Sequence, residues 1–157
     1  MEHVEIERKF LVKSSAYEVY STSKIRIVQG FLNTHPERTV RVRIKGDKGY
    51  LTIKGKGNSS GTTRFEWEKE ISTEEATALI DLCEPGILEK IRYEVPIGRH
   101  LYEVDEFLGE NKGLVIAEIE LKDEQEDYIV PDWIGKEVTG QVKYYNSQLS
   151  KNPFVAW

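Results

Sequence analysis

The chain has 157 residues, 39% apolar and 31% charged, enough for one domain with a real core, and residues 1–157 are read as that single domain. Its 22 basic and 27 acidic residues leave a net charge of -5, so no overall basic footprint marks it for duplex nucleic acid. Cys83 is the only cysteine, which excludes an internal disulfide and a cysteine-built zinc site; with no basic-apolar leader at Met1-Glu2-His3 and no apolar run near ~18 residues, a cytoplasmic setting without a membrane partner is expected.

The first patterned stretch is Glu5-Ile6-Glu7-Arg8-Lys9-Phe10-Leu11-Val12. In a strand, side chains alternate between faces. Glu5, Glu7 and Lys9 then share one face, opposite Ile6, Phe10 and Val12. Two carboxylates about 7 Å apart on one pleat can close on a hard divalent cation. Ser14 to Ser23 carries Ala16, Val19 and Tyr20 at helical spacing, which predicts a short surface helix. Strands are predicted over Lys24–Leu32 and Thr39–Lys45, the second with the cleanest alternation in the chain. Gly46-Asp47-Lys48-Gly49 is a hairpin turn into Tyr50–Lys54.

Gly55-Lys56-Gly57-Asn58-Ser59-Ser60-Gly61 is rich in glycine, but a P-loop ends in Gly-Lys-Ser/Thr and opens a helix. Here Arg64–Ile71 follows and alternates as a strand, so the glycines read as a hairpin connection. Ser72-Thr73-Glu74-Glu75 is a capping box opening a helix with Ala76, Leu79, Ile80 and Cys83 on one stripe, stopped by Pro85-Gly86. Three further strands are predicted over Glu89–Val95, Leu101–Phe107 and Leu114–Leu121. The tail from Asp123 is polar, with Pro131, Trp133, Ile134 and Val138, and a last helical turn is predicted over Tyr144–Leu149.

About eight strands joined by short turns imply antiparallel neighbours. Nearly every one has an apolar face and a charged face. One architecture is a sheet that buries the first under helices and solvates the second. The other is a closed barrel, β-dominated α+β in class, with the charges inside and helices packed outside. Eight strands leave a bore that one ligand can occupy, and charges within it need water, metal or a polyanion. The sorting of sign by strand favours the barrel. Glu5/Glu7, Glu103/Asp105 and Glu118/Glu120 are carboxylate pairs, whereas Arg41/Arg43, Lys9, Lys54 and Lys90/Arg92 supply cations. Metal held by carboxylates beside phosphates gripped by Arg and Lys is the recurring arrangement of phosphoryl transfer. His3, His35 and His100 are scattered and suggest no triad or metalloprotease spacing.

Glu5-Ile6-Glu7-Arg8-Lys9 resembles the Glu-x-Glu-x-Lys signature of the CYTH proteins, or triphosphate tunnel metalloenzymes. The resemblance runs in order through Arg41-Val42-Arg43, Leu51–Lys54, Lys90–Tyr93, Glu103–Phe107 and Ala117–Leu121. It implies an eight-stranded antiparallel tunnel that binds a triphosphate with Mg2+ or Mn2+. Carried over by position, Glu5, Glu7, Asp105, Glu118 and Glu120 are the implied metal ligands. Lys9, Arg41, Arg43, Lys54 and Arg92 are the implied triphosphate contacts. Lys90 is the implied activator of the attacking water, with simple phosphate contact as its alternative; Glu66 and Glu68 assist or balance charge. Phe31 stands in Gln29-Gly30-Phe31-Leu32 where many members have Tyr, so a role for that hydroxyl is absent. Thr139–Tyr144, with Lys143, extends the likeness. The implied reaction is hydrolysis of the terminal phosphate of a triphosphate, foremost inorganic tripolyphosphate. A class IV adenylyl cyclase or thiamine triphosphatase on the same fold, and a non-catalytic polyphosphate-binding module, are the alternatives.

Overall fold

The computed structural model describes residues 3–157. Strands β1 (Val4–Val12), β2 (Ser23–Asn33), β3 (Arg38–Lys45), β4 (Lys48–Gly55), β5 (Thr63–Ile71), β6 (Leu88–Ile97), β7 (His100–Phe107) and β8 (Val115–Glu120) pair antiparallel in the order β5-β4-β3-β2-β6-β7-β8-β1. The ring closes where β1 returns to β5, giving an eight-stranded barrel. Closure is brief: only Val4, Glu5 and Ile6 face Phe65, Arg64 and Thr63. Beyond that seam the free edge of β1 is taken by a ninth strand, β9 (Ile134–Glu137), through Phe10 and Val12. This strand is absent from the sequence reading, because four residues interrupted by Gly135 carry too little alternation to register.

Cross-strand register decides what faces inward. Glu7 lies opposite Glu120 and Lys9 opposite Glu118; Arg92 lies opposite Asp105 and Gln29 opposite Arg43. The charged faces of β1 and β3 to β8 therefore point into the barrel, while β2 turns Lys24 and Arg26 outward; the closed ring excludes the open, solvated sheet.

The outside is covered in two ways. Helix α2 (Thr73–Ile80) lies over β2, β3 and β4. Its capping box forms as the sequence implies, with Glu75 N donating to Ser72 Oγ at 3.0 Å and Ser72 N to Glu75 Oε1 at 3.1 Å. It ends before Cys83, which follows in a turn and packs so closely on Gly30 that an added Cβ would lie 2.9 Å from its Sγ. The opposite side relies mostly on irregular chain. Tyr93, Val95, Tyr102, Val104, Ala117 and Ile119 are buried under Trp133 and Ile134 of the tail and Tyr17 of α1 (Tyr17–Tyr20). That helix is a single turn, shorter than the Ser14–Ser23 segment predicted, because only Tyr17 of its four residues is buried and little else holds it.

Alternation does not make the whole interior polar. Phe31, Leu88, Phe107 and Ile116 occupy inward positions low in the barrel and pack with Val138, Tyr144 and Leu149 of the tail. They form an apolar floor beneath one side of the bore. Leu149 belongs to α3 (Asn146–Leu149), the turn predicted near the end of the chain.

Candidate active site

Above that floor the barrel encloses a cavity of about 190 Å3. Glu5 and Glu7 of β1, Glu118 and Glu120 of β8 and Glu103 of β7 form its acidic wall; Arg41 and Arg43 of β3, Lys54 of β4 and Arg92 of β6 form the basic one. Glu66 and Glu68 of β5 complete the lining. These two and Glu103 are outside the primary candidate set, although period-two alternation already puts them on the inner face.

Each cation of the basic wall is steered by a carboxylate. Glu68 Oε2 accepts from Thr52 Oγ1 at 2.7 Å and lies 3.5 Å and 3.4 Å from the Nη2 atoms of Arg41 and Arg43. Burial and the neighbouring Arg43 lower Arg41 to about 10, so it stays cationic at neutral pH. Lys54 Nζ donates to both oxygens of Glu5 at 3.0 and 3.1 Å and meets Glu66 at 3.1 Å. Burial opposes charge on Glu5, yet Lys54 and Arg64 hold its carboxyl well below the usual range. Glu66 moves the other way, raised by burial and by Glu5 to about 7.

Three candidates lie beneath the cavity and do not line it. Asp105, 2% exposed, receives Arg92 in a two-bond fork: Nε to Oδ1 at 2.8 Å and Nη2 to Oδ2 at 2.9 Å. Lys90, 1% exposed, adds a third bond to Oδ2 at 2.8 Å. Asp105 is therefore saturated by cations and held strongly ionised despite burial. Lys90 also donates to Asn146 Oδ1 at 2.9 Å, an atom shared with Gln29 Nε2 at 2.8 Å. Burial depresses the Lys90 ammonium to about 8 against the pull of Asp105. Lys9 lies 3.7 Å from Glu118 and donates to the Tyr144 carbonyl at 3.4 Å. Asn146 has no sequence signal, since a short turn in the tail gives no pattern that would aim it inside the barrel.

The remaining charges of interest lie elsewhere. Arg8 is outside, bonded to Glu137 at 3.0 Å. Lys143 stacks on Trp157, its Nζ 4.3 Å from the ring centroid. Trp133 is buried apolar cover between Tyr17 and Tyr102, and His100 bonds Glu126 at 2.7 Å.

The acidic wall has an excess of negative charge. Among the described residues neither Glu7 nor Glu120 has an ion-pair partner, although they face one another across β1 and β8. Burial, then Glu118 and Glu5, push the Glu7 carboxyl well above its ordinary value; burial and Glu5 also raise Glu120. Like charges opposed on neighbouring strands cost stability, and oxygen-only donors short of positive charge suit a hard divalent cation. As the side chains stand, no three His, Cys, Asp or Glu groups among the described residues converge to metal-holding geometry; Lys54 holds Glu5, and Lys90 and Arg92 hold Asp105. Among the described residues no helix is long and apolar enough to cross a membrane.

Comparison with known proteins agrees with the fold. The CYTH domain model matches residues 3–152. An inorganic triphosphatase of Acetivibrio thermocellus is 49% identical over 151 residues, 96% of this chain and 95% of the relative. An inorganic triphosphatase of Nitrosomonas europaea is 33% identical over 93% of this chain and 96% of its own. Among solved structures, the inorganic triphosphatase NE1496 superposes with a TM-score of 0.64 at 29% identity, over 93% of each chain. The PH1012 protein from Pyrococcus horikoshii superposes with a TM-score of 0.62 at 19% identity over 76% of this chain and 80% of that one, a likeness of fold alone.

Proposed function

Since the chain belongs to the CYTH domain family, we propose that it is a cytoplasmic inorganic triphosphatase, the activity named for both relatives above. The observation that carries the reading is the division of one small cavity into an acidic and a basic wall. No carboxylate of the basic side is idle, and two of the acidic side have no cation. That asymmetry suits a polyanion that arrives with a divalent metal.

Arg41, Arg43, Lys54 and Arg92 would bind and orient the phosphates. The arginines suit bidentate contact with phosphoryl oxygens, and Lys54 acts as a point charge. Their carboxylate partners fix them before substrate arrives, so less side-chain entropy is lost on binding. Glu7, Glu118 and Glu120 would hold Mg2+ or Mn2+. Glu5 and Asp105 would join them only on giving up the cations they now hold. Such a metal supplies charge neutralisation at phosphoryl oxygens and acidifies water.

In the reaction, water adds to the terminal phosphorus, the bridging P–O bond breaks, and diphosphate and orthophosphate leave. Lys90 is the candidate proton acceptor. At about 8, part of its population is neutral amine at neutral pH, as a base requires. Lys9, paired with Glu118, would fix that carboxylate.

The test is phosphate release from tripolyphosphate with Mg2+ or Mn2+, alongside Glu7→Gln and Glu120→Gln. Both variants are expected to lose turnover; normal rates in either would sink the metal assignment. ATP as substrate should give orthophosphate and no cyclic nucleotide. Lys90→Met should lower kcat and leave KM nearly unchanged, and an unaltered kcat would remove its proton-accepting role.

A further inference from the structure

A second cavity, also of about 190 Å3, lies between the glycine-rich β4–β5 connection and the C-terminal segment. Its charged lining is Lys56 and Arg64, with Ser147 and Gln148 as neutral donors. Among the described residues it has no carboxylate lining. Glu124, which is bonded to the loop, is engaged by Asn58, Ser60, Thr62 and Thr63. The backbone N–H groups of Gly57 and Ser59, also on this wall, bond to no other described residue.

Its two cations differ from those of the active site. There every arginine and lysine is steered by a carboxylate. Here Lys56 has no ion pair among the described residues, and Arg64 has only a loose one, its Nε 3.7 Å from Glu5 Oε1. That contact is also the partition between the two cavities, since Glu5 lines the first and Arg64 the second. Tyr145 stands beside it with Lys9 Nζ 5.1 Å and Arg64 5.7 Å from its ring centroid. A ring already engaged by two cations is a poor platform for a planar base, and the space is small. The chemistry it offers is that of a compact anion met by an arginine, a lysine and amide donors.

We propose that this cavity is a second anion site, and that its ligand is orthophosphate. Binding stands on the geometry alone. That this phosphate is the product, parked one ion pair away from where it forms, rests on the hydrolase reading above.

Calorimetric titration of inorganic phosphate into metal-free protein separates the two. Phosphate binding should survive Arg43→Ala, which weakens the first cavity, and should weaken about tenfold when Lys56→Ala is added, the loss of one charge-assisted contact. Lys56→Glu should abolish it. Lys56 is exposed, so these variants should fold as the parent does. If Arg43→Ala alone removes all binding, or Lys56→Glu leaves every phase unchanged, the second site is overturned. In turnover, Lys56→Ala should keep the parental rate with tripolyphosphate and relieve inhibition by added phosphate; undiminished inhibition would count against the product role. A protein with no turnover at all would defeat the hydrolase reading and leave the titration to decide the site.

Discussion

Asp105→Asn should be costly for folding, and the cost should depend on pH. The carboxylate accepts three bonds of 2.8 to 2.9 Å from Arg92 and Lys90, and all three residues are buried. The amide keeps the shape and loses the charge. Arg92 is left with Glu103 at 3.2 Å, and Lys90 with the neutral Asn146. Removing one partner of a buried ion pair costs about 3–5 kcal/mol. For a chain of this length each kcal/mol moves Tm by about 2–4 °C, so a fall of about 6–20 °C is expected. The lower part of that range applies where Lys90 can shed its proton. Its folded pKa is already depressed to about 8 from about 10.4 for a free lysine. Without Asp105 it falls further. Between the folded and unfolded values the unfolded chain binds more protons, so stability rises with pH there. In the variant that window opens at lower pH, and its deficit should narrow as pH is raised from about 6 to about 8. In acid the parent loses stability as well, so there the difference between the two should narrow as pH falls. Asp105 is held below its ordinary value, so its contribution is complete above about 3.9 and is lost as pH falls through the folded pKa. Thermal melts in chelator across that range provide the measurement. A variant within about 2 °C of the parent at every pH would show a carboxylate free to reach the cavity, and the account of Asp105 as an internal anchor would fail.

Glu7→Gln should raise the Tm of the metal-free protein by about 2–4 °C, from relief of up to ~1 kcal/mol of repulsion among like charges. The folded pKa of Glu7 is raised, so its penalty appears as pH climbs above about 4.3, and the gain should vanish in acid; a variant no more stable at neutral pH would contradict the crowding of the acidic wall. Glu68→Ala frees Arg41 and Arg43 together, and KM for tripolyphosphate should rise about tenfold, ~1.4 kcal/mol, with kcat little changed. Steady-state kinetics decides it: a fall in kcat at constant KM would mean that Glu68 serves the chemistry.

Much of the barrel is legible in the sequence because its information is local. Thr39–Lys45 and Arg64–Ile71 alternate so cleanly that their charged faces can be collected without knowing the pairing, and the capping box at Ser72 needs only four adjacent residues. What escapes is set by partners far apart in the chain. Alternation places Asp105, Lys90 and Arg92 on the inner face, but it cannot say that register locks them to each other beneath the cavity. The same parity that groups Glu103 with Asp105 also includes Phe107, and only the packing of Phe107 on Leu88, Ile116 and the tail turns that position into floor. Asn146 and β9 come from a segment with neither period, so their roles appear only once the barrel exists.

The seam has a consequence for the order in which this protein can come together. Strand β1 is translated first, yet its neighbours are β5, β8 and β9, and its three-pair contact with β5 is the weakest join in the ring. The β3–β4, β4–β5 and β6–β7 hairpins can form as they leave the ribosome, since each needs only a nearby partner. Glu5 can meet Arg64 of β5, but Glu7 must wait for Glu120 of β8, more than a hundred residues later, a loop whose closure is entropically expensive. A nascent chain would thus bring Arg41, Arg43 and Lys54 of the basic wall together before Glu7 closes against Glu120.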